Sequence, residues 1–501
     1  MLKIGWSRKD VSTEGPISIP GQHHIRLSKG IMDPIMLHCM AIGDGDDIVF
    51  FMSGDVGSPQ DVLNEIRDKV HSLRPEIPTE KILYNATHSH TGVFCGKSDI
   101  RMEAPHDKLE ILDFATYREF FTGSAADCVV EAFDGMKEGG IAYGYGYAVA
   151  GHHRRAVYKD DLGLRPNANK PMFKSLWIPG HAMMYGNTND DMFDGYEGVV
   201  DHIVNILFTF DENETLTGTI INVPCPSQNM EMEEVLSADF WHDVRTIIRK
   251  KYGDIGIVSQ CAAAGDMAPR MLHYKAAEMR RYALKYEDYE MQTDLRRPEE
   301  MYKRLDIAER ITEAFDEVYA WAKKDIIKEA PVLHSVRDIQ LERRMITEEE
   351  EKFVREDLAV MEEAPFQDTG DVYADFVYNT RKMGGIMRHR DIVARCEEQK
   401  KSKTVPMELH VIRIGDIAFA SNAFELFIDY QHRIQARSPF TQTFIVQLSG
   451  QPDGYPGYYL CTKRAQENIG YSATMFCNKV APEGGDTLVE ETVKDLKKLY
   501  E

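Results

Sequence analysis

Two histidines, His88 and His90, are separated by one residue in the segment NATHSHTG, residues 85–92. The segment follows a short apolar run, residues 82–84, that is typical of a β-strand. Because alternate residues of an extended chain point to the same side, both imidazoles can face one cavity. Neutral imidazole is the commonest side-chain metal ligand and also transfers protons. The pattern predicts a metal site or a histidine acid–base pair, with a polar surface turn as the alternative.

The residues before this segment predict the elements that would position it. Residues 47–52 form a buried strand pattern, residues 59–72 an amphipathic helix pattern, and the histidine strand follows, which together predict a β-α-β unit. Asp55 lies in the glycine-rich turn after the first strand, where α/β folds commonly place site residues. Asp55 can equally be a turn former or the cap of the next helix.

Two further strand ends carry side chains that could bind a polar substrate. A glycine- and tyrosine-rich strand, residues 140–147, leads to four consecutive basic residues that include Arg154. They suggest an anion or polar-substrate site, with a solvated basic loop as the alternative. A second strand, residues 255–259, leads to QCAAAGDMAPR, which carries Asp266 and Arg270. Small residues there allow the backbone to approach a ligand closely, or alternatively allow tight packing between layers.

The last third of the chain returns to strand patterns and adds two more groups of candidates. Glu425 follows a strand predicted from residue 416 and precedes a helix that ends near residue 438. A loop shaped by glycine and proline follows the strand at 443–448 and contains Tyr455, Tyr458 and Tyr459. A tyrosine-rich loop is suited to holding rings or hydroxyl groups against a polar substrate.

Composition excludes several classes of function. The chain has 501 residues and a formal net charge of −22, which argues against nucleic acid and an anionic membrane surface as partners. The N-terminal segment lacks the apolar core of a signal peptide, and no stretch is as apolar as a membrane span, so a cytoplasmic location is expected. Eight scattered cysteines without a CxxC pair indicate reduced thiols. The oligomeric state stays open, a homo-oligomer included.

Two charged helical stretches, about 274–330 and 346–402, are predicted to be peripheral insertions, the second with a break at Gly384 and Gly385. With no repeat or low-complexity linker, residues 1–501 are expected to form a single domain of α/β class, with mixed β-sheets and surrounding helices.

Several of these motifs, taken in order, resemble the catalytic domain of the neutral/alkaline ceramidase family. The resemblance rests on NATHSHTG, the region of Arg154, the LSAD segment, QCAAAGDMAPR, the segment from Glu425 to ARSP, and DGYPGYY, at residues 85–92, 154, 236–239, 260–270, 425–439 and 453–459. These motifs extend over nearly the whole chain. The extra C-terminal immunoglobulin-like domain of the ceramidases is not expected here.

The resemblance implies a catalytic zinc ion. It would put His88, Glu425 and Tyr455 among the metal ligands. His90 would lie beside the metal-bound water, and Arg154 near the substrate carbonyl or leaving group. Asp55, Asp266 and Arg270 would line the pocket or orient ligands, and Tyr458 and Tyr459 would contact substrate. Other divalent metals remain open.

The sequence departs from the family pattern at two positions. The family's second histidine ligand is expected at Pro226, which cannot bind zinc. His242 on the following helix is the favoured replacement and the thiolate of Cys225 the alternative. Ala268 stands where the family carries a serine near the hydroxyls of its lipid substrate. Ceramide is therefore a poor substrate prediction.

The sequence predicts a zinc-dependent hydrolase that acts on a small polar amide or sugar conjugate. A glycoside hydrolase is the alternative within enzymes, and would be favoured by Asp55 and Asp266 facing one cavity as paired carboxylates. A binding protein whose metal site decayed at Pro226 is the alternative outside enzymes.

Overall fold

The computed structural model describes residues 1–166, 178–287, 295–452 and 458–501. The strands are β1 (Leu2–Asp10), β2 (Ser18–Ile19), β3 (Arg26–Leu27), β4 (Met36–Gly43), β5 (Ile48–Gly54), β6 (Ile82–Ala86), β7 (Lys137–Tyr147), β8 (His152–His153), β9 (Arg155–Tyr158), β10 (Ala182–Met184), β11 (Phe193–Tyr196), β12 (Ile203–Asp211), β13 (Leu216–Val223), β14 (Gly256–Cys261), β15 (Met267–Ala268), β16 (Val332–Glu342), β17 (Thr404–Ile414), β18 (Ile417–Ser421), β19 (Glu425–Leu426), β20 (Gln442–Val446) and β21 (Tyr459–Leu460).

The α-helices are α1 (Leu63–Leu73), α2 (Phe114–Asp134), α3 (Phe240–Tyr252), α4 (Lys275–Lys285), α5 (Glu300–Ala322), α6 (Glu348–Glu363), α7 (Val372–Lys401), α8 (Ile428–Arg437), α9 (Lys463–Asn468) and α10 (Pro482–Tyr500). Short 3₁₀ helices cover Thr79–Lys81, Ile100–Glu103 and Leu162–Leu164. The two helical stretches predicted at 274–330 and 346–402 contain α4 with α5, and α6 with α7.

Two sheets form the centre of the fold. The larger has eight strands in the order β14-β13-β12-β7-β1-β4-β5-β6, and the smaller has four in the order β16-β17-β18-β20. Both mix antiparallel and parallel pairs. The large sheet is parallel at both edges, where β13 pairs with β14 and β5 with β6, and the small sheet is parallel at one edge, where β18 pairs with β20. The α/β class with mixed sheets, predicted from the sequence, is confirmed.

The sheets pack face to face, with helices on the outer faces. Phe51 of the large sheet and Phe419 of the small sheet lie 4.6 Å apart between ring centroids in this shared core. Helices α1 and α2 cover one half of the outer face of the large sheet, and α3 and α5 cover the other. Helices α8 and α10 cover the small sheet. The strands are therefore rigid supports for the loops at their ends.

The predicted β-α-β unit is β5-α1-β6, whose strands pair in parallel. Strand β6 ends at Ala86, so His88 and His90 lie in the turn that follows and not on the strand itself. Gly92 ends this turn against the turn after β5, because a Cβ there would lie 2.3 Å from the carbonyl oxygen of Asp55. The close approach fixes the two turns against each other.

The break expected at Gly384 and Gly385 does not occur, because α7 runs continuously through both glycines. Gly384 instead allows a close approach. A Cβ at this position would lie 2.7 Å from the carbonyl oxygen of His23. Helix α7 is thereby held against the loop between β2 and β3, next to the histidine turn.

Among the helices of the described ranges, none combines the length and the apolar character that a membrane span requires.

Candidate active site

A cavity of about 200 Å³ opens between the histidine turn, the β2-β3 loop and helix α7. Its lining comes from seven separate segments of the described chain. The side chains that matter for chemistry are His23, His88, His90, Arg388, Glu425, Tyr459 and Tyr471. The cavity is the place where the two sheets and α7 come together.

His88 is held in a strained backbone conformation. Its φ angle is +62°, in the left-handed region that a residue with a side chain seldom adopts. Its Nδ1 lies 2.5 Å from the carbonyl oxygen of Gly57, which therefore accepts a hydrogen bond from an Nδ1–H. Nε2 lies 3.3 Å from Glu425 Oε2, so an Nε2–H would donate to this carboxylate, and in a neutral ring with the proton on Nδ1 the Nε2 lone pair would be open to a metal ion. The turn thus presents a nitrogen donor to the cavity.

Glu425 is the carboxylate of the cavity, and cationic and polar groups surround it. Arg154 Nη2 lies 3.6 Å from its Oε2 and donates to the Tyr459 hydroxyl at 3.1 Å. Burial acts against ionisation of Glu425, but His88, Arg154 and a hydrogen bond from Tyr459 outweigh it and lower its pKa. The parallel pairing of β19 with β21 sets Glu425 directly beside Tyr459. Glu425 is therefore an anion at neutral pH.

His90 is fixed at both ring nitrogens. Nδ1 donates to Glu231 Oε2 at 3.1 Å, and Nε2 accepts from Gln228 Nε2 at 2.9 Å. Burial lowers the pKa of His90 to about 4 although Glu231 acts in the opposite direction, so the ring is neutral. Arg270 forms an ion pair with Glu231, whose pKa falls to about 2 because His90 and Arg270 outweigh its burial. Arg270 therefore supports His90 from behind.

Comparison with solved structures identifies the architecture. No family model matches the sequence, and no curated protein matches it. The structure superposes on neutral ceramidase from Pseudomonas aeruginosa with a TM-score of 0.64 at 13% identity, covering 99% of this chain and 74% of that one. It also superposes on a ceramidase complexed with C2, with a TM-score of 0.63 at 12% identity, covering 100% of this chain and 75% of that one.

The chain has a ceramidase-like fold. The resemblance noted in the sequence is thus confirmed for the fold, while identity this low supports no statement about activity.

The structure does not bring Asp55 to the cavity. Its side chain has no exposed surface, and both oxygens accept from Arg245, at 2.6 and 2.8 Å. The Met36 backbone N–H donates to the same carboxylate at 3.0 Å. Both carboxylate oxygens are therefore engaged by groups of the fold itself. The glycine-rich turn that predicted a site residue contains a buried ion pair.

Asp266 and Tyr458 also face away from the cavity. Asp266 Oδ2 lies 3.4 Å from His153 Nε2 and lines a different cavity, of about 390 Å³. Tyr458 donates from its hydroxyl to Asp391 on α7 at 2.6 Å. Because Asp55 and Asp266 do not share a cavity, the paired carboxylates expected of a glycoside hydrolase are not formed by these residues.

Neither replacement for the ligand lost at Pro226 reaches the cavity. His242 lies on α3 and Cys225 lies against Ala150, and neither is in the cavity lining. Burial raises the pKa of the Cys225 thiol well above its usual value, which disfavours the thiolate that would bind a metal. Tyr455 lies outside the described residues.

Three cavity residues carried no signal in the sequence. His23 comes from the β2-β3 loop, Arg388 from α7 and Tyr471 from the segment after α9. His23 and Tyr471 make an edge contact with ring centroids 5.6 Å apart. A basic residue within a charged helix and a histidine beside a turn are common patterns. The positions of Arg388 and His23 in the cavity are therefore evident only from the packing of α7 on the β2-β3 loop.

The donors around the cavity match a zinc ion in type. Two ligands of one tetrahedral zinc stand about 3.3 Å apart, as expected from bonds of about 2.0–2.2 Å, and His88 Nε2 and Glu425 Oε2 are 3.3 Å apart. The described ranges contain no group of three His, Cys, Asp or Glu side chains placed to hold a metal. The Tyr459 hydroxyl beside Glu425 is a further oxygen donor, but burial raises its pKa well above its usual value, which disfavours the phenolate form. Arg154, 3.6 Å from the same carboxylate, weakens the attraction for a cation.

Proposed function

We propose that the protein is a hydrolase that cleaves an amide bond in a small polar substrate. The observation that carries this proposal is that His88, Glu425 and Tyr459 line one small cavity of a ceramidase-like fold, with Arg154 buried beside Glu425 and Tyr459. In the reaction, the oxygen of water joins the carbonyl carbon, the carbon–nitrogen bond breaks, and the nitrogen leaves as an amine with a proton from the water. A carboxylate is the second product.

The proposal includes a divalent metal ion, with zinc as the first candidate. His88, Glu425 and the hydroxyl of Tyr459 would hold it. When bound, zinc polarises a carbonyl and lowers the pKa of water toward neutrality. His242 and Cys225 have no part in this ligand set, because neither lines the cavity.

The other groups of the site act on the substrate directly. Arg154 is held by the carbonyl oxygen of Gly265 at 2.7 Å and by Tyr459, and it can donate a hydrogen bond to a carbonyl oxygen that becomes negative during attack. His90 is neutral, and a proton transfer there requires Gln228 to release its Nε2. His90 is therefore proposed to orient water or stabilise the transition state through small movements of that amide.

Size supports a polar substrate of few atoms. Ligand pockets usually measure about 300–1,000 Å³ and bury most of a drug-sized molecule. The cavity here measures about 200 Å³, and its named lining is mostly charged or hydrogen-bonding. A long acyl chain has no apolar channel among these residues, which agrees with the loss of the family's serine at Ala268.

The test is metal content measured together with hydrolysis. Wild-type protein should retain about one zinc per chain after dialysis, and release of amine from short N-acyl compounds should be measurable. His88→Ala and Glu425→Gln should lose both the metal and the turnover. His242→Ala is the matched control and should keep both.

Two outcomes would contradict the proposal. Loss of metal in His242→Ala with retention in His88→Ala would move the site to another part of the chain. A wild-type protein that binds small ligands, holds no metal and releases no amine would favour the non-catalytic binding protein.

A further inference from the structure

Arg388 adds a positive charge to the lining of the cavity, and the proposed hydrolysis gives it no role. It belongs to α7, and it lines the cavity together with His88, Glu425 and Tyr471. Its Nη1 is buried and has no hydrogen-bond partner among the described residues. A buried guanidinium nitrogen without a partner is costly, because it has lost its hydration without replacing it.

The protein residues near Arg388 do not neutralise its charge. Its side-chain hydrogen bond is with Tyr471, and in the described ranges it forms no ion pair with Asp or Glu. The nearest acid along α7, Asp391, accepts from the Tyr458 hydroxyl at 2.6 Å and lies 3.7 Å from Arg395. That carboxylate is already engaged by other groups.

Most of the charged groups in and behind the cavity wall are paired with one another. Glu425 is the carboxylate of the lining and is shared between His88 and Arg154. Glu231 is paired with Arg270 behind His90. Burial lowers the pKa of His23 well below its usual value, and Arg388, Arg101 and Arg381 act in the same direction. Of these arginines, Arg101 is paired with Asp99. Arg388 therefore remains as a surplus cation that faces the cavity.

We infer that the substrate is anionic and that Arg388 binds its carboxylate, while the scissile amide lies at His88, Glu425 and Arg154. Arginine presents several N–H donors in a plane and binds carboxylates through charge-assisted hydrogen bonds. An N-acyl amino acid has these two groups a few atoms apart, as a cavity of about 200 Å³ requires. The inference rests on the proposed hydrolase function for the amide, but the carboxylate contact can be tested by binding alone.

The experiment is calorimetric titration of the intact protein with N-acetylglycine and with its neutral counterpart N-acetylglycinamide. Wild-type protein should bind the acid at least tenfold more tightly than the amide, since a charge-assisted contact is worth more than about 1.4 kcal/mol, a factor of ten in affinity. Arg388→Met should remove this preference, and Arg388→Lys should restore part of it. Arg390→Met should change nothing, because Arg390 is exposed on the same helix and pairs with Glu103 and Glu362.

Equal binding of acid and amide by the wild type, or no binding of the acid at all, would overturn the inference, and this comparison needs no variant to fold. An unchanged preference in a folded Arg388→Met protein would also overturn it. Selective acid binding without release of glycine would leave the carboxylate site standing and remove the hydrolase proposal. Release of glycinamide from N-acetylglycinamide as fast as release of glycine from N-acetylglycine would support the hydrolase proposal and remove the carboxylate site.

Discussion

At the scale of single residues, Asp55 shows how a buried charge serves the scaffold. Its carboxylate and the Arg245 guanidinium form a two-point ion pair in which the side chains are 0% and 4% exposed. Arg245 also donates to the Ser259 hydroxyl at 3.0 Å, which links α3 to β14. The pair therefore ties the turn after β5 to the other half of the large sheet.

We predict that Asp55→Asn destabilises the fold by about 3–5 kcal/mol, because it leaves the Arg245 charge buried without its partner. Chemical denaturation measures the change. The exposed pair of Arg74 with Asp134 provides the control, and Asp134→Asn should cost less than about 1 kcal/mol. A stable Asp55→Asn protein that has lost turnover would instead give Asp55 the catalytic role suggested by the sequence.

The sequence revealed those site residues that lie within motifs, and missed those that the packing brings in. His88 and His90 follow a recognisable strand, and Glu425 lies in a motif of its own, so the sequence named all three as candidates, and the structure places them around one cavity. Arg388 reaches the cavity only because α7 packs on the β2-β3 loop through Gly384. The contact joins residues more than 350 positions apart, and residue types alone do not encode it. The ion pair of Asp55 could not be predicted for the same reason, because Arg245 lies 190 positions away.

At the scale of elements, Gly265 determines how closely two loops of the site approach. A Cβ at this position would lie 2.3 Å from the Glu425 carbonyl oxygen, and the Gly265 N–H donates to the carbonyl oxygen of Leu426 at 2.7 Å. The carbonyl oxygen of Gly265 accepts from Arg154. The glycine in QCAAAGDMAPR thus serves close backbone packing beside the site and sets the position of Glu425.

We predict that Gly265→Ala costs about 1–3 kcal/mol of stability, because the added methyl group forces the loop carrying Glu425 to move. It should also reduce metal retention and turnover. Gly123→Ala is the control. Gly123 lies within helix α2, and a Cβ there would have no atom of another part of the structure within 4 Å, so the variant should stabilise the protein by about 0.5–1 kcal/mol. Unfolding curves and metal content of the two variants check both statements. Wild-type metal content in Gly265→Ala would show that the loop absorbs the methyl group elsewhere.

The existence of the elements could be predicted better than their arrangement. The apolar runs at residues 47–52, 82–84 and 255–259 predicted β5, β6 and β14. The order of the large sheet, with β7 between β12 and β1, depends on which strands meet after long connections. Strand β1 pairs with β4 and β7 through backbone hydrogen bonds, which any extended segment can form. Local sequence does not encode that choice.

At the scale of the whole molecule, buried neutral histidines make the fold sensitive to acid. His38 and His334 are 0% and 4% exposed. Burial lowers the pKa of both well below 6.5; Arg245, Arg249 and Arg8 add to this at His38, and His410, Lys81 and Arg67 at His334. These rings stay neutral in the native state, whereas the unfolded chain binds protons below about pH 6.5. The unfolded state then holds more protons, so stability rises with pH in this range.

We predict that the contribution of His38 and His334 to the free energy of unfolding does not change with pH above about pH 7. Below about pH 6 it falls by about 1.4 kcal/mol per histidine for each pH unit. His38 allows a direct test, because neither ring nitrogen has a hydrogen-bond partner in the described part of the chain. His38→Leu should keep or raise the free energy of unfolding at pH 7.5. Between pH 6 and pH 5 this free energy should decrease less than in the wild type, by the contribution of one histidine.

The matched control is His71→Leu, which removes the same ring from an exposed position on α1 and should leave the slope unchanged. Denaturation curves at a series of pH values give both slopes. Carboxylates such as Glu408, whose pKa falls to about 2 because His410 and Arg67 outweigh its burial, lose their contribution only below about pH 4.5. Asp239, whose pKa burial raises to about 6, also binds a proton in the native state in this interval. The contribution of His38 is therefore the difference in slope between His38→Leu and the wild type. A slope in His38→Leu equal to that of the wild type would mean that His38 is protonated in the native state, with its charge balanced by a group that this packing does not provide.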